Sequence, residues 1–321
     1  RDRGAVAMLA LAHRQHGKLP WARLFDPAIE LAENGFAVSP RLNGLLAAET
    51  ALKADPVAAA YFYRADGTPH PVGHLLKNPE LAAVLRDIAA QGPRALHDGP
   101  VARAVVAKVQ QHPVMPGTLS LDDLKQYQPK EREALCFDHA AVQRMLRICG
   151  FPPPSSGAVA VGQIMGLLAR TPQSGAPLNG TPGADWLHTY MEASRLAFAD
   201  RAQYLGDPDF VQPPGGSWGS LLAPTYLAER ARLIGAQSMK VAQPGKPGAV
   251  RTSYAPMPDQ PEYGTSHISI VDANGDAVAL TTTIEDQFGA RQMVKGFLLN
   301  NELTDFSFAP TDAQGLSLIH I

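Results

Sequence analysis

The chain of 321 residues shows two kinds of hydrophobic pattern. Through its first two thirds, apolar residues recur at helical spacing. Late in the chain, two runs of β-branched and apolar residues flank Asn274 and Gly275, the strongest short-range signal for a β-hairpin. Between about residues 213 and 260, Pro, Gly, Ser and Gln are frequent and apolar periodicity is weak. The pattern predicts a long helical region, then a surface loop, then an antiparallel hairpin whose apolar residues are typical of a core strand.

Residues that favour helix ends mark several of the predicted helices. Asp26 is the expected N-cap of a helix that stops just before Gly35. Asn78 precedes a second helix, and Gly92 terminates it. The strongest helical segments are residues 20–36, 78–92, 120–127 and 183–208.

Two further segments complete the helical region. Ser120 with Asp123 three residues later is a variant of the capping box. In residues 151–168, three prolines impose an extended segment that leads into an apolar helix. Helices followed by strands indicate an α+β or layered fold rather than a doubly wound one.

Composition excludes several classes of function. A hydrophobic share of 45% and a charged share of 18% are typical of a soluble globular protein. A net charge of -2 gives no reason to expect a nucleic-acid or acidic-membrane partner. No apolar run reaches the roughly 18 residues that a membrane span needs.

Cys136 and Cys149 are the two cysteines of the chain. Two cysteines do not make a disulfide framework, and no CxxC or Cys/His cluster predicts a metal site. We expect buried free thiols, with a bridge between them as the alternative.

The start of the predicted hairpin, Gly264-Thr265-Ser266-His267, carries candidate chemistry. An N-terminal threonine combines a nucleophilic hydroxyl with an α-amine of pKa near 8, which can serve as its general base. That chemistry requires cleavage of the bond between Gly264 and Thr265, and a glycine makes the bond accessible. A hairpin would hold the new terminus rigidly.

Two registers of the hairpin remain open from sequence. If Ala273 and Asp276 close a two-residue loop, Thr265 faces Ile284. If Asp272–Gly275 forms a type I turn with a glycine bulge, Thr265 faces Thr283, a second hydroxyl.

Several stretches together resemble the γ-glutamyltranspeptidase family, whose members are also called glutathione hydrolases. They are "DPAIELAENGF", "FPPPSSG", "AFADRAQYLGDPDF", "GTSHISIVDANGDAVALTTT" and "GFLLNNELTDFS". The resemblance extends to about Pro310 and implies an N-terminal-nucleophile hydrolase fold, a four-layer αββα sandwich. It also implies autocleavage into a large subunit and a small subunit. Residues 1–264 belong to the large subunit, and residues 265–310 form the first part of the small subunit. Residues 311–321 are left unassigned.

The resemblance implies roles for individual residues. Thr265, freed by cleavage after Gly264, would be the catalytic nucleophile, and Thr283 the second threonine that assists processing and catalysis. Glu302 and Asp305 match positions that hold the substrate α-amino group. His267 shares a strand face with Thr265, where it could orient the threonine or pack against neighbours.

The chain departs from the family pattern in three ways. Glu285 stands where the glutathione-using enzymes commonly have Asn, and an anionic side chain there would repel a substrate α-carboxylate. A Phe-Arg-Glu segment that supplies the family's carboxylate-binding arginine does not occur, and the serine and glycine pairs of the family's oxyanion hole are not found between Phe306 and Ile321. The chain also opens without Met. We therefore expect a fragment that lacks both ends and is weakly active or inactive alone.

These observations predict γ-glutamyl transfer or hydrolysis through an acyl-threonine ester, without metal or cofactor. The expected partners are a small γ-glutamyl donor and water, an amino acid or a peptide as acceptor. An acylase for glutaryl groups on the same fold is one alternative, and a non-catalytic scaffold protein is another. Family habit implies a periplasmic or secreted protein.

Overall fold

The helices expected from the hydrophobic spacing are present in the computed structural model of the chain. It describes residues 2–141, 144–172, 180–249, 254–258 and 264–319. The residues fall into two units, the first made of Arg1–Lys130 and Pro261–Glu302 and the second of Glu131–Gln260 and Leu303–Ile321. This division does not follow the predicted cleavage point, so the assignment of two subunits stays a prediction.

Within these described ranges the chain forms eleven α-helices and eight strands. The helices are α1 (Asp2–His16), α2 (Asp26–Asn34), α3 (Pro40–Ala48), α4 (Pro56–Phe62), α5 (Pro79–Gln91), α6 (Arg94–His97), α7 (Pro100–Gln110), α8 (Leu121–Gln126), α9 (Gly157–Leu168), α10 (Ala184–Tyr204) and α11 (Pro224–Ala231). The strands are β1 (Phe36–Ala37), β2 (Leu75–Leu76), β3 (Leu135–Ala140), β4 (Met145–Gly150), β5 (Ser266–Val271), β6 (Ala277–Thr282), β7 (Met293–Val294) and β8 (Phe297–Leu298).

All the sheets in the described residues are antiparallel pairs. Their orders are β1–β2, β3–β4, β5–β6 and β7–β8. The chain is thus a mixed α and β protein, as expected, and these short pairs are not the two wide sheets of a complete four-layer sandwich.

Local capping chemistry explains the predicted bounds of α5 and the predicted start of α8. The Oδ1 atom of Asn78 accepts the Leu81 amide at 3.0 Å, and Gly92 ends α5 with a φ of 65°. Ser120 and Asp123 form the full capping box of α8. Both predictions are confirmed.

The predicted N-cap of α2 is wrong by one residue. Phe25, which ends a 3-10 turn, takes the cap position, and Asp26 is the first residue of the helix. The Asp26 carboxylate instead pairs with Arg23 at 2.7 Å, because both side chains project from the same tight turn.

The prediction of an irregular loop over residues 213–260 is also wrong in part. Helix α11 lies inside it, and its Tyr226, Leu227 and Ala231 are buried. Eight residues between proline- and glycine-rich segments are too few for a clear helical period. Residues 250–253 and 259–260 of that range lie outside the described residues.

In the second unit, one buried carboxylate joins three helices. Asp200 of α10 accepts hydrogen bonds from Gln163 of α9 at 2.7 Å and from Tyr226 of α11 at 2.6 Å. Arg230 adds an ion pair at 3.2 Å, and the Gly245 amide donates at 2.8 Å. Burial, with the charge of Asp200, raises the pKa of Tyr226 far above its ordinary value, so the phenol stays protonated and donates.

The two cysteines are paired, which corrects the expectation of buried free thiols. Cys136 and Cys149 face each other in the β3–β4 register and form a disulfide, and Cys149 is exposed. The pairing does not require the cysteine spacing of a disulfide framework, because the hairpin register alone places the two side chains opposite each other.

We expect the Cys136–Cys149 bridge to survive purification and to stabilise the hairpin. The chain-entropy model assigns about 3 kcal/mol to closing a loop of this size. Peptide mapping without reduction should recover the two cysteine peptides as one linked species that separates on reduction. Two peptides that alkylate without prior reduction would contradict the assignment, and a Cys149→Ser protein provides the control digest.

In the first unit, the segment after the β5–β6 hairpin is anchored in a helical core. Phe288 and Met293 pack with Leu46, Leu52 and other buried residues of the α3–α4 region. Leu299 joins a second cluster built on α5 and α7. Apolar burial therefore fixes this segment against the helices from two sides.

Gly296 lets this segment approach the start of α5 closely. Its φ is 80°, and a Cβ there would lie 2.5 Å from the Leu81 amide nitrogen. The Asn78 side chain donates to the Gly296 carbonyl at 2.8 Å. The helix cap and the segment are thus held by one side chain.

The β5–β6 hairpin is exposed, against the expectation of a core strand. Its apolar side chains reach solvent, with Ile270 at 57% and Val278 at 60% exposure. Among the described residues, each of these strands pairs with the other alone, and all but one of their residues are exposed, so neither face is packed. The apolar pattern is present without the packing that usually accompanies it.

Candidate active site

The turn of the hairpin sets which residue Thr265 meets. The Asp272 amide donates to the Asp276 carbonyl at 2.9 Å, and the Gly275 amide to the Asp272 carbonyl at 3.1 Å. Gly275 has a φ of 87°, as a glycine bulge requires. Ser266 pairs with Thr282, so continuing the register by one residue brings Thr265 opposite Thr283. This is the second of the two registers that sequence left open.

Thr283 contacts the junction directly. Its Oγ1 donates to the Gly264 carbonyl oxygen at 3.5 Å and accepts the Glu285 amide at 2.9 Å. Because the amide occupies a lone pair of the hydroxyl, the hydroxyl hydrogen is left to point at the carbonyl. Thr283 is thus oriented toward the bond between Gly264 and Thr265, and Thr265 itself is exposed.

Thr265 opens onto a cavity of about 600 Å³ within the first unit. Its lining includes both threonines and Glu285, three of the predicted site residues. The residues that line it are Arg41, Gly264, Thr265, Ser266, Thr283, Ile284, Glu285, Asp286, Gln287 and Arg291.

Two arginines line this cavity, and they differ in their surroundings. Arg291 pairs with Asp286 at 2.6 Å and with Glu49 at 3.2 Å. Burial alone would lower the pKa of Arg291, but the hydrogen bond and charge of Asp286, with those of Glu49, raise it above its ordinary value. Arg41 is exposed and forms no ion pair within the part of the chain that the structure describes. It is therefore the cavity cation left for an anionic ligand.

Sequence reasoning did not identify Arg41, Arg291 or Glu49. Each lies in a helix or loop with no local motif, and their proximity to Thr265 or to one another arises from tertiary structure. A positive charge next to a candidate nucleophile becomes visible only once the chain is folded.

The other predicted site residues lie apart from this group. Glu302 is buried in the first unit and is not among the cavity lining. Asp305 belongs to the second unit. The Nδ1 atom of His267 lies 2.8 Å from Oγ1 of Thr281, its cross-strand partner, and the ring is exposed rather than packed. Substrate binding by Glu302 and Asp305 and orientation of Thr265 by His267 stay predictions.

Comparison with known proteins decides the family. The sequence pattern that defines the family described as Gamma-glutamyltranspeptidase matches residues 3–319. The chain belongs to the γ-glutamyltranspeptidase family. It is 36% identical over 319 residues to glutathione hydrolase 2 from Arabidopsis thaliana, covering 97% of this chain and 51% of that protein.

Proteins named as acylases are also similar to the chain. Acylase ACY 1 proenzyme from Pseudomonas sp. strain V22 is 32% identical over 318 residues, covering 98% of this chain and 52% of that protein. The crystal structure of cephalosporin acylase from Bacillus halodurans superposes with a TM-score of 0.77 at 24% identity, covering 99% of this chain and 55% of that one. The N-terminal-nucleophile hydrolase fold is thereby confirmed. The chain spans about half the length of the curated relatives it matches.

Two structural features are absent from the described residues of this family member. Across the described ranges, no three His, Cys, Asp or Glu side chains are grouped so as to hold a metal ion. No helix in those ranges is long and apolar enough to cross a membrane.

A glycine shapes the cavity wall in this family member. Gly289 has a φ of 53°, and a Cβ there would lie 2.2 Å from the Leu299 carbonyl oxygen. The close approach lets the Ala290 amide donate to that carbonyl at 2.8 Å. The segment that carries Glu285 and Asp286 thus folds back tightly on the strand pair β7–β8.

We expect Gly289→Ala to destabilise the first unit and displace this wall. Strain at a positive φ together with a backbone clash costs about 1–3 kcal/mol. Gly44→Ala is the matched control, because a Cβ at Gly44 in α3 meets nothing within 4 Å and alanine favours the helix. Thermal unfolding compares the two, and equal melting temperatures would contradict the close approach.

Proposed function

We propose that the whole protein containing this chain is a γ-glutamyltransferase that also hydrolyses γ-glutamyl amides. The observation that carries the proposal is the pairing of Thr265 with Thr283 at the mouth of a cavity that also holds Arg41 and Glu285. Glutathione hydrolases among the relatives support this reading.

The first step is cleavage of the protein's own chain. The Thr265 hydroxyl oxygen attacks the Gly264 carbonyl carbon, a C–O bond forms, and the C–N bond breaks as the nitrogen takes up a proton. Water then hydrolyses the ester, leaving a carboxylate on Gly264 and a free α-amine on Thr265. Thr283 donates to the Gly264 carbonyl oxygen and so stabilises the charge that develops there. The products are the large and small subunits.

Turnover reuses the same hydroxyl. The Thr265 amine acts as general base while the hydroxyl attacks the γ-amide carbonyl of the donor, and it returns the proton to the leaving amine. The acyl-threonine ester is then attacked by water, which gives hydrolysis, or by the amine of an amino acid or peptide, which gives transpeptidation. Glu302 and Asp305 are assigned to the donor's ammonium group by the family resemblance alone.

The charges in the cavity fit a donor that carries a carboxylate. Arg41 attracts that carboxylate, whereas Glu285 repels it and attracts an ammonium group. A γ-glutamyl group has both charges, and a glutaryl group has the carboxylate alone. A glutaryl acylase is the second candidate function, favoured by the similarity to the related acylase.

We place the protein in the periplasm or outside the cell. The Cys136–Cys149 disulfide supports this location, because such bridges persist in oxidising compartments and are rare in the cytosol.

We expect self-cleavage between Gly264 and Thr265 in the whole protein. Intact mass and N-terminal analysis should show two chains, one beginning at Thr265, and a single chain in Thr265→Ala. Thr283→Val, which loses the donor to the Gly264 carbonyl, should cleave about 10²- to 10³-fold more slowly. Thr283→Ser keeps the hydroxyl and should remain close to the native rate. An uncut native chain, or equal rates for the valine and serine proteins, would contradict the assigned roles.

Substrate profiling separates the two candidate activities. We expect a γ-glutamyl anilide to be the better donor, because Glu285 attracts the ammonium group that a glutaryl anilide lacks. Glu285→Asn removes that attraction and relieves the carboxylate repulsion in both donors alike, so the preference for the γ-glutamyl anilide should fall about tenfold. Arg41→Ala should raise KM for both donors, since both carry a carboxylate. Arg103→Ala, at an exposed arginine of α7 in the same unit, is the matched control. A native preference for the glutaryl donor would support the acylase.

A further inference from the structure

We propose that Arg291 is a positioning residue that sets the geometry of Thr283 at the reaction centre, an inference that rests on the proposed function. Arg291 is joined to Glu49 and Asp286, and we call these three residues the Arg291 clamp. The clamp does not contact the bond between Gly264 and Thr265. It acts through the turn that follows Thr283.

The clamp binds two carboxylates from distant parts of the chain. Nη2 of Arg291 contacts Oδ2 of Asp286 at 2.6 Å and Oε2 of Glu49 at 3.2 Å, and Nε contacts the same Glu49 oxygen at 3.2 Å. The other Glu49 oxygen, Oε1, accepts the amides of Ala51 at 2.7 Å and Leu52 at 3.3 Å. Asp286 is thus connected through Arg291 to the turn at the end of α3.

The second link runs from Asp286 to the hydroxyl of Thr283. Asp286 follows Glu285, whose amide donates to Thr283 Oγ1 at 2.9 Å. Glu285 has a φ of 75°, which a side chain rarely adopts, so surrounding contacts must hold it there. Asp286 supplies such contacts through its side chain to Arg291 and through its amide to Asn301 Oδ1 at 2.9 Å. Loss of the clamp would allow Glu285 to relax and its amide to leave Thr283.

Arginine suits this position for a chemical reason. Its planar guanidinium can bond two carboxylates and a carbonyl at once, and Nη1 donates to the Gly289 carbonyl at 3.0 Å. A lysine ammonium is a point charge on a flexible stem and would hold this geometry less well. Glu49 and Asp286 are both buried, so removing the cation leaves two buried carboxylates without an ion-pair partner at this position.

Apolar contacts stabilise this segment independently of the clamp, so a positioning role can be distinguished from a general effect on stability. Phe288, Met293 and Leu299 are buried in the two cores of the first unit and anchor the segment whether or not the clamp forms. In addition to that anchoring, the clamp fixes the orientation of Glu285 and Thr283. Its loss should therefore reduce the rate of chemistry more than the binding of substrate.

The test uses the whole protein and four variants. Arg291→Met removes the clamp, and Arg291→Lys keeps the positive charge of the side chain. A double variant, Arg291→Met with Glu49→Gln, removes the clamp together with the buried charge of Glu49. Lys295→Met is the matched control, because Lys295 lies in the same segment, also has a positive φ, and forms an exposed pair with Glu80. Each protein is measured for self-cleavage, kcat, KM and melting temperature. Hydrogen exchange of the peptide that contains Glu285 is followed as well.

We expect Arg291→Met to lower kcat and the cleavage rate by about 10²-fold with little change in KM, as a displaced catalytic group does. Arg291→Lys should retain part of the kcat that Arg291→Met loses. Adding Glu49→Gln to Arg291→Met should restore the melting temperature without restoring kcat. Exchange at the Glu285 peptide should rise in Arg291→Met and stay unchanged in Lys295→Met.

Three results would overturn the inference. Arg291→Met could match Lys295→Met in kcat and cleavage, Glu49→Gln could restore kcat together with stability, or exchange at the Glu285 peptide could stay unchanged. A native protein that neither cleaves nor turns over a donor would instead contradict the proposed function. Hydrogen exchange would still decide whether Arg291 holds the turn in that case.

Discussion

The turn at Asp272–Gly275 decides what Thr265 faces, and the candidate site depends on that register. A slip of one residue would bring Ile284 opposite Thr265 and turn every side chain of the strand to the other face. Gly275, at a φ of 87°, absorbs the extra residue of the bulge and so fixes the alignment. The hydroxyl of Thr283 then meets the Gly264 carbonyl at the far end of the hairpin.

The hairpin alone does not hold that hydroxyl, because its strands are exposed on both faces. Rigidity comes from the segment that follows, which inserts Phe288 and Met293 into a helical core and closes on α5 at Gly296. Between the exposed hairpin and this anchored segment lies the turn at Glu285 and Asp286. Glu285 has a φ of 75° in this turn, and the turn supplies both carboxylates of the cavity lining.

Sequence predicts the features of this protein that are local. The caps at Asn78 and Ser120 and the stops at glycines need only neighbouring residues, and they are confirmed. Helix α11 was missed because eight residues carry too little periodicity. The Cys136–Cys149 bridge needed the β3–β4 register, which two isolated cysteines do not reveal. The register of the β5–β6 hairpin was narrowed to two possibilities, and the structure has the one that pairs the threonines.

The resemblance to a family identified the two threonines and Glu285, which the cavity brings together. Arg41, Arg291 and Glu49 could not be found that way, since their contribution arises from contacts between segments that are distant along the chain. For Glu302 and Asp305, a match to a sequence motif did not predict a place in the cavity. Their positions match a motif, and the structure leaves them outside the cavity of Thr265 or in the other unit.

In the proposed mechanism, Thr265 carries the acyl group during turnover. The most direct measurement is peptide mass spectrometry of the whole protein, quenched in acid while it turns over a γ-glutamyl donor. We expect a peptide that begins at Thr265 and carries the mass of one γ-glutamyl group on its threonine hydroxyl, absent when donor is omitted. An unmodified Thr265 peptide during active turnover, or the acyl group on another residue, would contradict it.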